Sequence, residues 1–158
     1  MAVLGVLSAL AGAAAPSTAR LVARYQQQAA LSALYSHLSM ARQTAVAKGQ
    51  RITVRAAPAG WHQGWEVFAD TNPNGLLDEG ETVLAVGEAR RVHISARGPM
   101  AEYVSFDPGG WPVQANGAFL SGRFVICSPG DSHTHLLVMS AAGRIRQERT
   151  QGHCPQAS

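Results

Sequence analysis

The residues whose spacing best fits a known chemistry lie in an acidic segment near the middle of the chain. Carboxylate and amide oxygens spaced along a twelve-residue loop can ligate Ca²⁺, which takes about six to eight oxygen ligands. The pattern D-x-[DN]-x-[DN]-G-x5-E is matched by Asp70, Asn72, Asn74, Gly75 and Glu81, with Asp78 inside the loop.

Two interpretations of this acidic loop are open. A strand-like segment precedes it, whereas an EF-hand loop follows a helix. The alternative is a hairpin whose Asn-Gly turn and side-chain-to-backbone hydrogen bonds need no metal. We favour the hairpin and expect no cofactor, with Ca²⁺ as the one candidate.

A second cluster, near the C-terminus, contains Gly143, Arg144, Ile145 and Arg146, followed by Arg149. In extended backbone Arg144 and Arg146 project from one face and Ile145 from the other. Guanidinium forks suit phosphate oxygens, so such a pair could bind a nucleic-acid backbone. The alternative is a solvated edge strand on which arginine prevents aggregation.

The two cysteines, Cys127 and Cys154, fit one disulfide in an oxidising compartment. The alternative is a pair of free cytosolic thiols. The chain has no Cys-x-x-Cys pair, which excludes a zinc ribbon and a thioredoxin-type site. A disulfide would close the arginine-bearing segment into a loop.

Enzymatic motifs are absent from the sequence. His133 and His135 would share one strand face, but no third metal ligand accompanies them, and ordinary surface histidines are the favoured interpretation. No nucleophile elbow, His-Glu-x-x-His motif, P-loop or dinucleotide-binding glycine motif occurs. We therefore predict that the protein is not an enzyme.

The N-terminal third predicts one long helix. Apolar side chains recur at three- and four-residue steps from Leu21 to Ala45, and Gly49 is placed as a left-handed stop. Residues 1–15 carry no charge. As helix they would span about 22 Å, less than the ~30 Å hydrocarbon core. The pattern predicts a helix over about 17–48, to which the apolar segment can be joined through Pro16.

After Gly49 the sequence changes to short β-like runs separated by turn residues. Such runs without an intervening helix favour an antiparallel β-domain in two layers, so the predicted class is α+β with about seven strands. The predicted strands are 51–57, 64–69, 82–88, 92–96, 103–106, 123–127 and 136–140, with 144–147 as an extension.

Composition agrees with one folded domain. The 158 residues are 46% hydrophobic and 15% charged, which excludes a disordered chain. Charge is unevenly spread, because residues 1–65 carry six basic and no acidic side chains while 66–88 carry six acidic and no basic ones. Residues 89–158 carry seven arginines against four acids, so this local clustering says more about partners than the net charge of +3.

The order of these features resembles the GspH/FimT family of minor pilins and pseudopilins. The helix end Ala41-Arg-Gln-Thr-Ala-Val-Ala-Lys-Gly49 is similar to the family's ARxxAIxRG segment. The segments Gly64-Trp-Glu-Val-Phe-Ala-Asp-Thr-Asn-Pro-Asn-Gly75 and Val104-Ser-Phe-Asp-Pro-Gly-Gly-Trp-Pro112 follow in the family's order.

The resemblance implies a pilin-like fold, in which a long helix lies half in the membrane and half on a C-terminal β-domain. It implies a membrane part over 1–16, a soluble helix over 17–49 and a β-domain over 50–158. The implied location is the bacterial inner membrane, crossed once, with the β-domain in the periplasm. The implied partners are other pilins or pseudopilins in a filament. A periplasmic location would also account for a disulfide.

One family feature is not found in these residues, namely a short basic leader followed by Gly-Phe-Thr-Leu-Ile-Glu. We expect that the sequence begins at an internal methionine of a longer reading frame. Leader cleavage and N-methylation are therefore not assigned to any residue of this sequence.

FimT-like members of the family carry a C-terminal Gly-Arg-x-Arg motif implicated in DNA capture during natural transformation. Gly143, Arg144 and Arg146 match it, which implies contacts from Arg144 and Arg146, together with Arg149, to double-stranded DNA. The favoured hypothesis is therefore a FimT-like minor pilin of a type IV pilus. The alternatives are a type II secretion pseudopilin and, less favoured, a periplasmic calcium-binding module.

Overall fold

A computed structural model describes residues 3–89, 91–129, 131–152 and 154, with side chains from Thr18 onward. One helix, α1, covers Val3–Lys48 and is followed by an all-β region. The predicted helix is confirmed, and it continues through Pro16 without ending there. Gly49 follows it with a φ of 63°, the left-handed conformation expected of a helix stop.

The β-domain contains nine strands in the described part of the chain. Two short 3-10 helices, Trp61–Gln63 and Gly98–Ala101, interrupt them. The strands are β1 Ile52–Ala56, β2 Trp65–Ala69, β3 Val83–Gly87, β4 His93–Ala96, β5 Tyr103–Phe106, β6 Pro112–Val113, β7 Gly122–Cys127, β8 His133–Met139 and β9 Ile145–Gln151.

The strands form two antiparallel sheets, as predicted. One has the order β3-β2-β1-β5-β6 and the other the order β4-β7-β8-β9. The predicted number of about seven was low by two. Strand β6 has only two residues, too few for a periodic signal, and β9 is an edge strand with an almost wholly polar sequence. The predicted extension over 144–147 is the start of β9.

The core forms where the second half of α1 packs against the sheets. Leu31, Leu34 and Leu38 are almost completely buried, and Ala41 and Ala45 continue the same stripe. Leu21 and Tyr25, which begin the predicted stripe, are instead 69% and 76% exposed. The β-domain therefore buries side chains of the helix only from about residue 27 onward, although Ser128 and Asp131 also contact the helix at Ala23 and Arg24.

One buried polar residue lies at the N-terminal end of the contact between the helix and the sheets. Gln27 is 1% exposed, and its Nε2 donates to the backbone oxygens of Ile126 at 3.1 Å and His133 at 3.3 Å. Its neighbour Gln28 is exposed. The helix is thus oriented so that the Gln27 amide meets two backbone oxygens of the second sheet.

Within the described residues, no helix is both long enough and apolar enough to cross a membrane. The membrane part predicted over residues 1–16 depends on side chains that lie outside those the structure describes.

A second polar contact joins α1 to the first sheet. The indole Nε1 of Trp65 donates to Nδ1 of His37 at 2.9 Å, and the two rings meet edge to face. Burial lowers the pKa of the His37 imidazole. The neutral ring is also the form whose Nδ1 can accept this hydrogen bond.

We expect this contact to make the fold sensitive to mild acid. Because the pKa of His37 is lower in the folded than in the unfolded state, the unfolded chain takes up a proton first. The stability that neutral His37 contributes to the fold is fully present above about pH 6.5, the ordinary histidine pKa. It is lost as the pH falls through the pKa that His37 has in the folded state. His37→Gln should flatten the dependence of unfolding free energy on pH, measured by urea denaturation between about pH 5 and 7.5.

Ser36→Ala, on the exposed side of the same helix, is the control and should retain the wild-type pH dependence. An unchanged slope in His37→Gln would mean that His37 does not titrate on unfolding.

Candidate nucleic-acid interface

The Gly-Arg-x-Arg segment forms the turn between β8 and β9. The Gly143 amide donates to the Ser140 oxygen at 2.9 Å, and the Ser140 amide donates to the Arg144 oxygen at 3.0 Å. Gly143 is buried and has a φ of 74°. A β-carbon at this position would lie 2.8 Å from the Gly110 oxygen. The glycine of the motif is therefore required by the close approach of two backbone turns.

Arg42 of α1 holds these two turns together. Its Nε donates to the Gly110 oxygen at 3.0 Å, and one Nη donates to the Ala142 oxygen at 3.3 Å. The helix thus determines the position of the arginine-bearing turn through one half-buried guanidinium.

The arginines of the motif are distributed as strand alternation requires. Ile145 packs against the hydrophobic core, while Arg144 and Arg146 are exposed. Arg146 forms an ion pair with Glu148, since its Nε donates to Glu148 Oε1 at 2.6 Å. Arg149 pairs in register with His135 and lies on the face of β9 opposite to Arg146.

A further arginine joins this surface through strand pairing. Val138 pairs with Arg123 of β7 on one side and with Arg146 of β9 on the other. Because directly paired residues share a face, Arg123 and Arg146 project from the same side of the sheet. We call Arg123, Arg144 and Arg146 the arginine row. Sequence analysis missed Arg123, since only the register of β7 against β8 reveals its position.

A disulfide stabilises the same sheet. Cys127 and Cys154 are bonded, with their Cα atoms 5.4 Å apart, so the predicted disulfide is confirmed. The bond attaches the chain beyond β9 to the end of β7. Thr134 Oγ1 also donates to the Gly152 oxygen at 3.1 Å, which holds the same segment against β8.

The acidic loop connects β2 to β3 as the hairpin interpretation describes. Asp70 is 2% exposed and accepts hydrogen bonds from the amides of Asn74 and Gly75 and from the Thr53 hydroxyl. Gly75 has a φ of 73° at the turn.

The remaining polar residues of the loop also bind one another. Asn72 and Asn74 donate to Asp78 Oδ2, both at 2.7 Å, and these hydrogen bonds lower the pKa of Asp78. Glu81 accepts from Thr71 and from the Asp78 amide. Hydrogen bonds to the carboxylates therefore account for the shape of the loop, and Ca²⁺ binding there stays a prediction.

His133 is held by Asp131, whose Oδ1 accepts from the His133 amide at 3.2 Å and lies 3.3 Å from its Nδ1. Burial, followed by the charge of Arg149, lowers the pKa of His135. In the described ranges, no three histidine, cysteine or acidic residues lie together as a metal site would require.

The long helix packed against antiparallel sheets defines a pilin-like fold. Two crystal structures of the type IV minor pilin FimU from Pseudomonas aeruginosa share it. The first matches with a TM-score of 0.61 and 24% identity, over 79% of this chain and 90% of FimU. The second matches with a TM-score of 0.59 and 24% identity, over 77% and 91%.

A comparison of the sequence with family models identifies the protein family. The profile described as Type II transport protein GspH matches residues 30–143, and the chain belongs to this family. No curated protein sequence matches the chain significantly. Family membership and fold together support a component of a pilus or pseudopilus, which is a structural role.

We predict that Gly143→Ala destabilises the fold more than Gly117→Ala. Both glycines have positive φ, but a β-carbon at Gly117 would meet nothing within 4 Å. Gly117→Ala should therefore cost about 1–2 kcal/mol, for the left-handed backbone alone. The β-carbon of Gly143→Ala would also clash with the Gly110 oxygen and with Arg42 Nε, and moving these atoms away should add about 1–3 kcal/mol. Equal losses of unfolding free energy in urea would contradict the close approach.

We predict that Asp70→Asn lowers the unfolding free energy by about 1–3 kcal/mol, since an amide cannot accept all three buried hydrogen bonds. Glu79→Gln, at an exposed position in the same loop, is the control and should change little. Melting curves of both variants, with and without Ca²⁺, measure the effect. A large rise in wild-type melting temperature with Ca²⁺ that Asp70→Asn abolishes would show that the loop takes the metal.

Proposed function

We propose that the protein is a FimT-like minor pilin of a type IV pilus that binds double-stranded DNA for uptake. The exposed arginine row is the observation that carries the proposal. We further propose a single-pass inner-membrane location, with the β-domain in the periplasm. The disulfide is consistent with that compartment.

Assembly with other pilins is supported by the exposed part of α1. Leu21, Val22 and Tyr25 are 69%, 53% and 76% exposed, and they precede the part of the helix whose side chains the β-domain buries. Neighbouring apolar side chains of this size on one helix are typical of a surface that another protein covers. We propose that helices of adjacent subunits cover them in the filament.

DNA binding is supported by the geometry of the arginine row. Arg123 and Arg146 lie two strands apart, which corresponds to about 10 Å between their backbones. Guanidinium groups spread over this distance can reach several phosphates of one duplex, without reading its sequence. Glu148 is the acid that weakens this surface, through its pair with Arg146. Arg149, on the other face, would contribute by long-range attraction only.

A type II secretion pseudopilin is the second candidate, because the matching family is described as a type II transport protein. In that case the β-domain would contact other pseudopilins or cargo, and the arginine row would have no ligand. The two candidates therefore differ in whether DNA binds to the row.

We predict that the oxidised full chain binds labelled duplex DNA in a salt-dependent manner, measured by fluorescence anisotropy. Arg144→Ala/Arg146→Ala should weaken binding and reduce the slope of log K against log salt by about two, one for each lost phosphate contact. Arg123→Ala should reduce it by about one. Glu148→Gln should tighten binding, because it removes the acid that pairs with Arg146.

Arg149→Ala is the matched control for this prediction, since it removes one positive charge from the opposite face of the same strand. Equal losses in Arg149→Ala and in Arg146→Ala would indicate diffuse attraction rather than a site. If the wild-type chain binds no duplex at low salt, the DNA proposal is wrong, and a structural pilin or a pseudopilin is left.

A further inference from the structure

Two large aromatic side chains lie exposed side by side next to the arginine-bearing turn. Trp111 is 47% exposed and Phe119 is 67% exposed. Their ring centroids are 6.1 Å apart, with the rings inclined at 64°. We call these two residues the aromatic pair. The other two tryptophans, Trp61 and Trp65, are buried in the core.

The aromatic pair is placed beside the arginine row by the contact between two glycines. A β-carbon at Gly143 would lie 2.8 Å from the Gly110 oxygen, and these glycines immediately precede Arg144 and Trp111. Arg42 lies against the same contact and donates to Gly110. Among the described ion pairs, none includes Arg42 or Arg144. Aromatic surface and positive charge without an acidic partner therefore lie where the two turns approach each other.

The backbone that carries the aromatic pair is well ordered by hydrogen bonds. Asp107 Oδ1 accepts from the amides of Gly109 and Trp111, both at 2.9 Å, so this carboxylate is engaged by its own turn. Phe119 is fixed by its bridge to Val113. The backbone on which both rings are mounted is thus held in place, which reduces the conformational freedom lost when a ligand stacks on them.

We propose that the aromatic pair stacks on the bases of single-stranded nucleic acid while Arg144 holds the adjacent phosphates. This inference rests on the proposed function and extends it to a second form of DNA. Aromatic side chains beside positive charge are the combination that binds single strands irrespective of sequence. A duplex covers the faces of its bases, so the aromatic pair would distinguish the two forms of ligand.

The test compares a labelled 20-nucleotide oligo-dT with a blunt duplex of equal length, using the oxidised full chain. Trp111→Ala/Phe119→Ala should weaken oligo-dT binding about tenfold or more and duplex binding less than about threefold. Tyr25→Ala, which removes an exposed aromatic side chain from the helix, is the matched control. The milder pair Trp111→Leu/Phe119→Leu serves if the alanine variant unfolds.

Tryptophan fluorescence gives an independent readout. Because Trp61 and Trp65 are buried, quenching by oligo-dT should come from Trp111 and disappear in Trp111→Phe. Absent quenching, or equal affinity losses for oligo-dT and duplex, would overturn the inference while leaving duplex binding to judge the proposed function. Oligo-dT binding with quenching but no duplex binding would support the aromatic pair and refute the proposed function. A variant that loses only self-association would show that the aromatic pair is a contact between subunits.

Discussion

The contact on which the rest of the structure depends is the burial of one helix stripe against the two sheets. Leu31, Leu34 and Leu38 are each nearly inaccessible to solvent. Full burial of a leucine side chain is worth about 1.5–3 kcal/mol relative to its exposure. The apolar stripe cannot fix the rotation and height of the helix by itself, since neighbouring registers would bury similar areas. The polar contacts of Gln27, His37 and Arg42 supply that specificity at three levels of the helix.

Arg42 connects this helix position to the candidate DNA surface. Because its guanidinium donates to backbone oxygens in two separate turns, a shift of the helix would move both turns. Arg42 therefore holds the backbone turns that carry Arg144 and Trp111, while the side chains of these two residues stay exposed. Exposed arginines on a backbone held in place suit a ligand whose phosphates are contacted without reading its sequence.

Local patterns in the sequence were sufficient for the elements that depend on local physics. The helix over 17–48 follows from its apolar spacing and from Gly49, and β1, β2 and β5 follow from short apolar runs. Strand β9 could not be predicted in full, because only Ile145 among its residues reaches the core. Arg123 could not be assigned to the site either, since its neighbours depend on strand register, which is set by pairing partners distant in the sequence. In the acidic loop the spacing predicted that the polar residues lie together. Which oxygens accept and which amides donate depends on the three-dimensional arrangement of the loop.

The Gly-Arg-x-Arg match separates into two parts with different physical causes. Gly143 is needed because its backbone approaches Gly110 too closely for a side chain, and Ile145 is needed because it packs on the core. The structural reasons for these two residues hold whether or not the protein binds DNA. In the proposed function, the residues of the motif that would contact DNA are therefore Arg144 and Arg146. Strand pairing adds Arg123 to the same surface independently of the motif. A surface that draws the same type of side chain from two separated strands supports a ligand more strongly than four consecutive letters do.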